Sequence, residues 1–307
     1  MQLFQNNAGF NISKSKLQYV EVNYSENDFA LENIDEEYFS DFIDPSIKET
    51  KFVSILQSAF SSLTLRKPLK SSVVSFSLPY EFFKIISLPY DNTLIDADLN
   101  HFIEWEFSVL FPQLYASDFA LRFIKIDDSS LLNKNKIIVY AIEKRILKIL
   151  HKFATKNSLT IKFIDNVHLT GNLVIFSDPS FNKLQNSISI FINEESVNFI
   201  VLEGTSPIYV KSLNYNNISE LIPKVSEGFN NINQIGIDSQ LLHKAYIITD
   251  SVSENIIEQI RTQLNVNLLR INPFDRLNQN PIVKNNNLIQ RKILTFSSAL
   301  GVVLRLE

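Results

Sequence analysis

Residues 188–213, ISIFINEESVNFIVLEGTSPIYVKSL, read as three short strands joined by tight turns. Glu194-Glu195 makes the first turn and Glu203-Gly204-Thr205 the second, each flanked by β-branched and aromatic residues. The first two strands are apolar at nearly every position: Ile188, Ile190, Phe191 and Ile192, then Val197, Phe199, Ile200, Val201 and Leu202. A half-exposed strand would alternate. This pattern belongs to a sheet covered on both faces.

The amino end repeats the design. Gly9 to Ser13 is a strand, Ser13-Lys14-Ser15 a turn, Leu17 to Asn23 a second strand and Asp28 to Ile34 a weaker third. Two such meanders, each followed by strand–helix alternation, imply an internal duplication. The polar linker Ser177–Asn186 marks the boundary, giving halves of residues 1–182 and 183–307.

In the first half, Asp44-Pro45 opens a helix to about Thr64 whose inner face is Phe52, Ile55, Leu56, Ala59, Phe60 and Leu63. Strands follow at Ser72–Leu78 and Phe82–Leu88, then a helix from Asp96 or Asp98 that stops before Pro112. Paired strands Asp118–Ile126 and Lys136–Ile142, a helix Glu143–Lys156, a strand Leu159–Ile164 and a helix Val167–Phe176 complete it. Residues 77–142 form a small inserted subdomain within this half. The second half carries a helix at Ile218–Phe229, a strand at Lys244–Ile248, a helix capped by Ser253 and a strand at Val266–Ile271. An Asn-rich loop, Asn278–Asn287, precedes a closing helix at Thr295–Leu300 and a terminal segment, Gly301–Leu306.

Composition narrows the chemistry. The 307 residues suffice for two domains, and 45% hydrophobic with 20% charged residues is ordinary for a soluble globular chain. A net charge of −4 gives no footing for nucleic acid, and basic residues do not cluster with aromatics on one face. The absence of cysteine removes disulfide and thiolate chemistry and fits a cytoplasmic setting. No apolar run reaches the roughly 18–20 residues that span a bilayer, and no secretory signal is visible. The four histidines (His101, His151, His168, His243) are scattered without metal-ligand spacing. Glu104 and Glu106, two apart on a helix, point in different directions and make no acid/base pair. No P-loop, GxGxxG or G-x-S-x-G is present.

The run SLPYEFFKIISLP (Ser77–Pro89), followed by DLNHFIEWEFSVLFP (Asp98–Pro112) with its Trp105-Glu106 pair, resembles the PilM family of actin-like assembly proteins of type IV pili. Further matches are IVYAIEKRIL (Ile138–Leu147), FID (Phe163–Asp165), INPF (Ile271–Phe274) and SSALGVVLR (Ser297–Arg305), in the same order along most of the chain. The resemblance implies an α/β chain with the actin-like ATPase (ribonuclease H-like) fold. It has two duplicated halves, an insertion in the first and one reduced to about one helix in the second. It also implies a groove for the short cytoplasmic tail of a PilN-like membrane partner, with an assembly ATPase as a further partner, at the inner face of the membrane.

An actin-like nucleotide site needs a glycine-bearing hairpin turn in each half, an Asp near each turn, and a glycine pair after a strand where adenosine packs. In the first half the expected Gly-Ile-Asp-Ile-Gly reads Gly9-Phe10-Asn11-Ile12-Ser13, followed by Lys14, Ser15 and Lys16. In the second the equivalent is Ile190-Phe191-Ile192-Asn193-Glu194, with Phe191 or Ile190 at the acid position. The adenosine strand, Ile247-Ile248-Thr249-Asp250-Ser251, has no glycine. Asn11, Ser13, Lys14, Ser15, Asn193, Thr249 and Asp250 are therefore expected to be a vestige of the site, with no nucleotide cofactor and no catalysis. The competing readings are an actin-like ATPase with atypical loops and a diverged cytoskeletal or division scaffold.

The aromatic concentration from Tyr80 to Phe111 is either core filler or part of a docking surface. Tyr80, Phe83, Ile85 and Trp105 are the partner-binding candidates. Strand alternation sets Phe82, Lys84 and Ile86 on one face, and Phe83, Ile85 and Ser87 on the other.

Overall fold

Two sheets of the same design organise the computed structural model, which describes residues 5–25, 28–132, 134–238, 241–249, 252, 254–264, 267–279, 288 and 292–305. In the first, strands β1 (Gln5–Ile12), β2 (Lys16–Ser25) and β3 (Asp28–Tyr38) form an antiparallel meander. β4 (Val73–Leu78) and β8 (Thr160–Asn166) then extend it in parallel beyond β1. In the second, β9 (Asn186–Ile192), β10 (Ser196–Glu203) and β11 (Ser206–Asn214) repeat the meander, and β12 (Lys244–Thr249) and β13 (Leu268–Arg270) repeat the parallel extension. A two-residue strand, β14 (Asn278–Gln279), adds to the outer edge of β3.

The repeat extends to the register. Ile12 faces Leu17 and Ile192 faces Val197, so each first turn spans four residues. Ser13 N–H donates to the Lys16 carbonyl, and Asn193 N–H to that of Ser196, both at 3.0 Å. The duplication is therefore geometric, not only a likeness of pattern.

Helices α1 (Glu49–Arg66) and α3 (Lys144–Lys156) cover one face of the first sheet. Phe10 stacks on Phe76 with ring centroids 5.6 Å apart, and Phe60 meets Phe153 edge-on at 5.3 Å. Helices α5 (Leu221–Gln234) and α6 (Glu254–Leu264) bury Leu221, Val225, Ile232, Ile257 and Ile260 against the second sheet. The near-continuous apolar reading of the second meander holds, since β9 and β10 are buried along almost their whole length.

Between β4 and α3 the chain builds a separate three-stranded antiparallel sheet in the order β5 (Phe83–Pro89), β7 (Lys136–Glu143), β6 (Phe119–Ile126). Helix α2 (Asp96–Leu110) packs Leu99, Ile103 and Phe107 onto one face of it. No comparable sheet separates β11 from β12, where α5 and a short 3-10 turn make up the described secondary structure apart from the Leu241 region.

The final helix, α7 (Ser297–Leu304), returns to the first sheet and crosses α4 (Val167–Ser177) at close range. A methyl built on Gly301 would stand 1.8 Å from the Thr170 carbonyl oxygen, and one on Gly9 would stand 2.1 Å from that of Ala299. Bare backbone at these two positions lets helix meet helix and helix meet strand.

Some boundaries differ from the sequence expectation. α1 starts at Glu49, because the Asp44 carboxylate instead accepts from Ser46 N–H (2.7 Å) and closes a turn before the helix. Phe82 precedes β5 in a 3-10 turn and is buried beside Phe52 rather than sharing a strand face with Lys84. The closing helix runs through Gly301 to Leu304, where its buried face continues. The Ser253 cap, Val266 and positions 280–287 of the Asn-rich loop lie outside the described residues.

Gly301→Ala is expected to destabilise by about 3 kcal/mol, since backbone on both sides cannot yield. Gly236→Ala, whose added methyl meets nothing but whose φ is +86°, should cost only about 1 kcal/mol. Urea unfolding of the two variants checks the order.

Candidate functional site

The tips of the two repeated hairpins face each other. Lys14 forms an ion pair with Glu195, and Ser15 Oγ donates to Glu194 Oε1 at 2.9 Å. Beside them, Asn193 Nδ2 donates to Glu81 Oε1 at 3.2 Å, tying the second tip to the corner that follows β4. The hollow left between Lys14, Pro79, Glu81 and the second tip is about 20 Å³, room for about one water molecule. Three of its lining side chains are carboxylates.

The turns are closed by their own side chains. Asn193 Oδ1 accepts from Glu195 N–H (2.9 Å), Ser196 N–H (2.6 Å) and Ser196 Oγ (3.0 Å). Ser13 Oγ accepts from Lys16 N–H at 3.1 Å. Tip carbonyls are engaged too: Lys14 O and Ser15 O receive Ile43 and Phe39 N–H, and Glu195 O receives Tyr215 N–H. Positive φ occurs at Asp128, Ser158, Gly204 and Gly236, and at neither tip. The side-chain closure removes the need for glycine there.

Asn11 does not reach a tip. Alternation along β1 sets it on the face that Gly9 shares with α7. Its Nδ2 donates to Gln18 Oε1 (3.2 Å), and Gln18 Nε2 donates to Glu36 Oε2 (3.1 Å) and Thr295 Oγ1 (3.0 Å). Burial raises the Glu36 pKa, but bonds from Lys292 and Lys16 win and hold its carboxyl below the usual range. The common register equates Ser13 with Asn193 and therefore Asn11 with Phe191, so the second acid position is Phe191, buried against Tyr246 and Ile248. Thr249 ends β12, buried, its Oγ1 accepting from Val252 N–H at 2.9 Å. Asp250 lies outside the described residues.

Behind the tips runs a buried polar chain that sequence reasoning missed. The Tyr80 hydroxyl lies 3.4 Å from His168 Nδ1, His168 Nε2 lies 2.8 Å from Ser189 Oγ, and Ser189 Oγ donates to Asn172 Oδ1 at 2.5 Å. Asn166 N-caps α4 by accepting from His168 N–H, which fixes the ring between the two sheets. Burial pushes the His168 pKa down to about 3, so the imidazole is neutral. A lone histidine in an apolar stretch gives no sign in sequence that its partners come from β9 and from the corner after β4.

The small sheet creates the second feature. β5 is an edge strand, and so is β11 of the second sheet. Between them lies a groove of about 510 Å³ lined by Tyr80, Phe83, Ile85, Phe111 and Val210, with Glu81, Lys84 and Lys211 also on its walls. Three partner-binding candidates, Tyr80, Phe83 and Ile85, therefore meet in one place. Tyr80 is buried there, its hydroxyl turned toward His168. Trp105 does not line this groove; it stands 61% exposed on α2. A separate hollow of about 560 Å³ lies between residues 113–119 and the start of α3.

No protein-family model matches the sequence, and no curated protein matches it. Solved structures do. A PilM-PilN type IV pilus biogenesis complex superposes with a TM-score of 0.72 at 16% identity, covering 97% of this chain and 98% of that one. A Bacteroides thetaiotaomicron protein with an actin-like ATPase fold and unknown function superposes at 0.52 and 11% identity, over 89% and 93%. The chain has the actin-like ATPase fold.

An actin-like fold implies a magnesium nucleotide held between the halves, and the residues at the tips do not fit one. Three amides of the two turns, those of Lys16, Glu195 and Ser196, already donate to the Ser13 and Asn193 side chains. The tips are bridged, and Glu81, Glu194 and Glu195 would repel phosphate. Among the described residues no group of three or more acidic or histidine side chains is placed to hold a metal. The complementarity of Lys14-Ser15 with Glu194-Glu195 was present in the sequence, but nothing local shows that residues about 180 apart touch.

Asn193→Ala should cost about 1–3 kcal/mol, because the Glu195 and Ser196 amides lose a buried acceptor. Lys14→Ala should stay within about 0.5 kcal/mol of wild type, since its ion pair is largely exposed. Chemical denaturation separates them. The neutral His168 also sets a pH dependence. Below pH 6.5 the unfolded chain takes up a proton that the folded state refuses down to about pH 3. Stability should therefore fall by about 1.4 kcal/mol per pH unit on acidification through this window. His168→Gln should remove that share of the slope between pH 6.5 and 5.

Proposed function

We propose that this protein is a non-catalytic scaffold that captures a short segment of a membrane protein in a pilus or secretion assembly machine, working in the cytoplasm at the inner face of the membrane. The carrying observation is the pairing of a nucleotide cleft sealed by its own side chains with an open apolar groove at a free strand edge. The superposed PilM structure is a complex with PilN, which supports a PilN-like partner for this chain. No helix among the described residues is long and apolar enough to cross a membrane. We take residues 1–182 and 183–307 as the two actin-like halves, the second lending β14 and α7 to the first.

An extended peptide suits the groove. The unpaired edge of β5 offers main-chain donors and acceptors to an added strand, and Phe83, Ile85 and Val210 offer contacts to alternate side chains. Lys84 and Lys211 complement an acidic residue on the incoming segment, while Glu81 at the tip end complements a basic one.

Calorimetric titration tests both parts. Mg-ATP should give no measurable heat; micromolar affinity would overturn the scaffold reading. A PilN-like cytoplasmic tail peptide should bind, with Ile85→Asp weakening it at least tenfold and Tyr115→Ala, in the hollow near α3, leaving it unchanged. The reverse pattern would move the peptide to that hollow.

A further inference from the structure

Helix α2 carries two apolar faces, and the fold covers one. Leu99, Ile103 and Phe107 are buried against the small sheet. A second row, Phe102, Trp105 and Val109, has the spacing of successive a, d and a positions of a helix–helix seam, with Ile95, the extended residue that precedes the helix, at its near end. Ile95, Trp105 and Val109 are 65%, 61% and 54% exposed, and Phe102 is half-buried. A helix packed once on a sheet is expected to turn a polar back to water, so this row needs a cover.

The charge around it selects the cover. α2 bears Asp96, Asp98, Glu104 and Glu106 and no lysine or arginine. Lys125 meets Asp96 at 2.9 Å; the other three have no ion pair among the described residues. At about 100° per residue, Asp98 falls within the apolar row and Glu106 beside it. A second copy of the same face would set carboxylate against carboxylate, and an anionic lipid surface would be repelled likewise. A cationic helix meets both requirements.

We propose that the outer face of α2 is a second docking surface, separate from the β5–β11 groove, for a basic amphipathic helix of a partner protein. Val109 and Trp105 seat its apolar seam, and Asp98 and Glu106 pair with flanking lysines or arginines. Four turns of α2 give a contact of about 22 Å, which calls for a partner helix of about 15 residues.

Trp105 is the only tryptophan in the chain, so its emission reports on this face alone. The probe is an 18-residue amphipathic leucine/lysine peptide without aromatic residues. It should shift Trp105 emission to the blue and saturate. Val109→Asp should weaken the peptide at least tenfold, although the added negative charge would strengthen any nonspecific attraction. The double change Asp98→Asn with Glu106→Gln, nearly isosteric and on exposed or half-exposed side chains, should weaken it severalfold and flatten its salt dependence. Thermal melts monitored by circular dichroism confirm that the variants fold. The proposal is overturned by any of four results: no emission shift, an equal response to a leucine/glutamate peptide of the same apolar face, unchanged affinity in Val109→Asp, or a blue shift from protein concentration or anionic vesicles alone.

Discussion

A main-chain N–H at a hairpin turn has one proton to give, and in this protein three of them go to a neighbouring side chain. Asn193 takes two amides of its turn and Ser13 takes one of its own. Once that is so, the turns need no left-handed residue, and the tips are free to approach until Lys14 and Ser15 meet Glu195 and Glu194. The cleft between the halves becomes a join. The fold keeps the actin-like frame, and its two hairpin tips are bridged to each other.

The glycines show the same redistribution. Gly9 stands on the central strand where a phosphate-binding motif would begin, yet what its missing side chain admits is the Ala299 carbonyl of α7. Gly301 admits Thr170 of α4 in the same way. At both glycines the close approach is of backbone to backbone, on the side of the sheet away from α1 and α3. The neutral His168 fits this picture, a polar link held dry between two apolar layers by Tyr80 and Ser189.

Much of this architecture was legible in the residues. The unbroken apolar runs from Ile188 and Val197 announced strands covered on both faces, because burial on two sides erases alternation. The two three-stranded meanders made the duplication readable, but the matching four-residue turns after Ile12 and Ile192 emerge only from the strand register, since the sequence suggested turns of three and of two residues. What could not be read depends on tertiary approach. Sequence spacing assigns Phe82 to a strand, whereas packing against Phe52 bends it into a turn. Phe83 and Ile85 announce an apolar face, but only the arrival of β11 makes it the wall of a groove while leaving Trp105 elsewhere. The Lys14–Glu195 contact joins segments whose own neighbourhoods are unremarkable.

The return of α7 to the amino-terminal sheet also bears on how the chain is made. Val20, Val22, Leu31 and Ile34 find their cover in Phe274, Phe296, Leu300 and Val303, which are synthesised long after them. Until then much of that face of the first sheet, beyond the part met by Val174 of α4, is uncovered, however complete its other side has become beneath α1 and α3. The nascent amino-terminal half is thus a sticky intermediate throughout translation of the second, and vectorial synthesis cannot finish the two in turn.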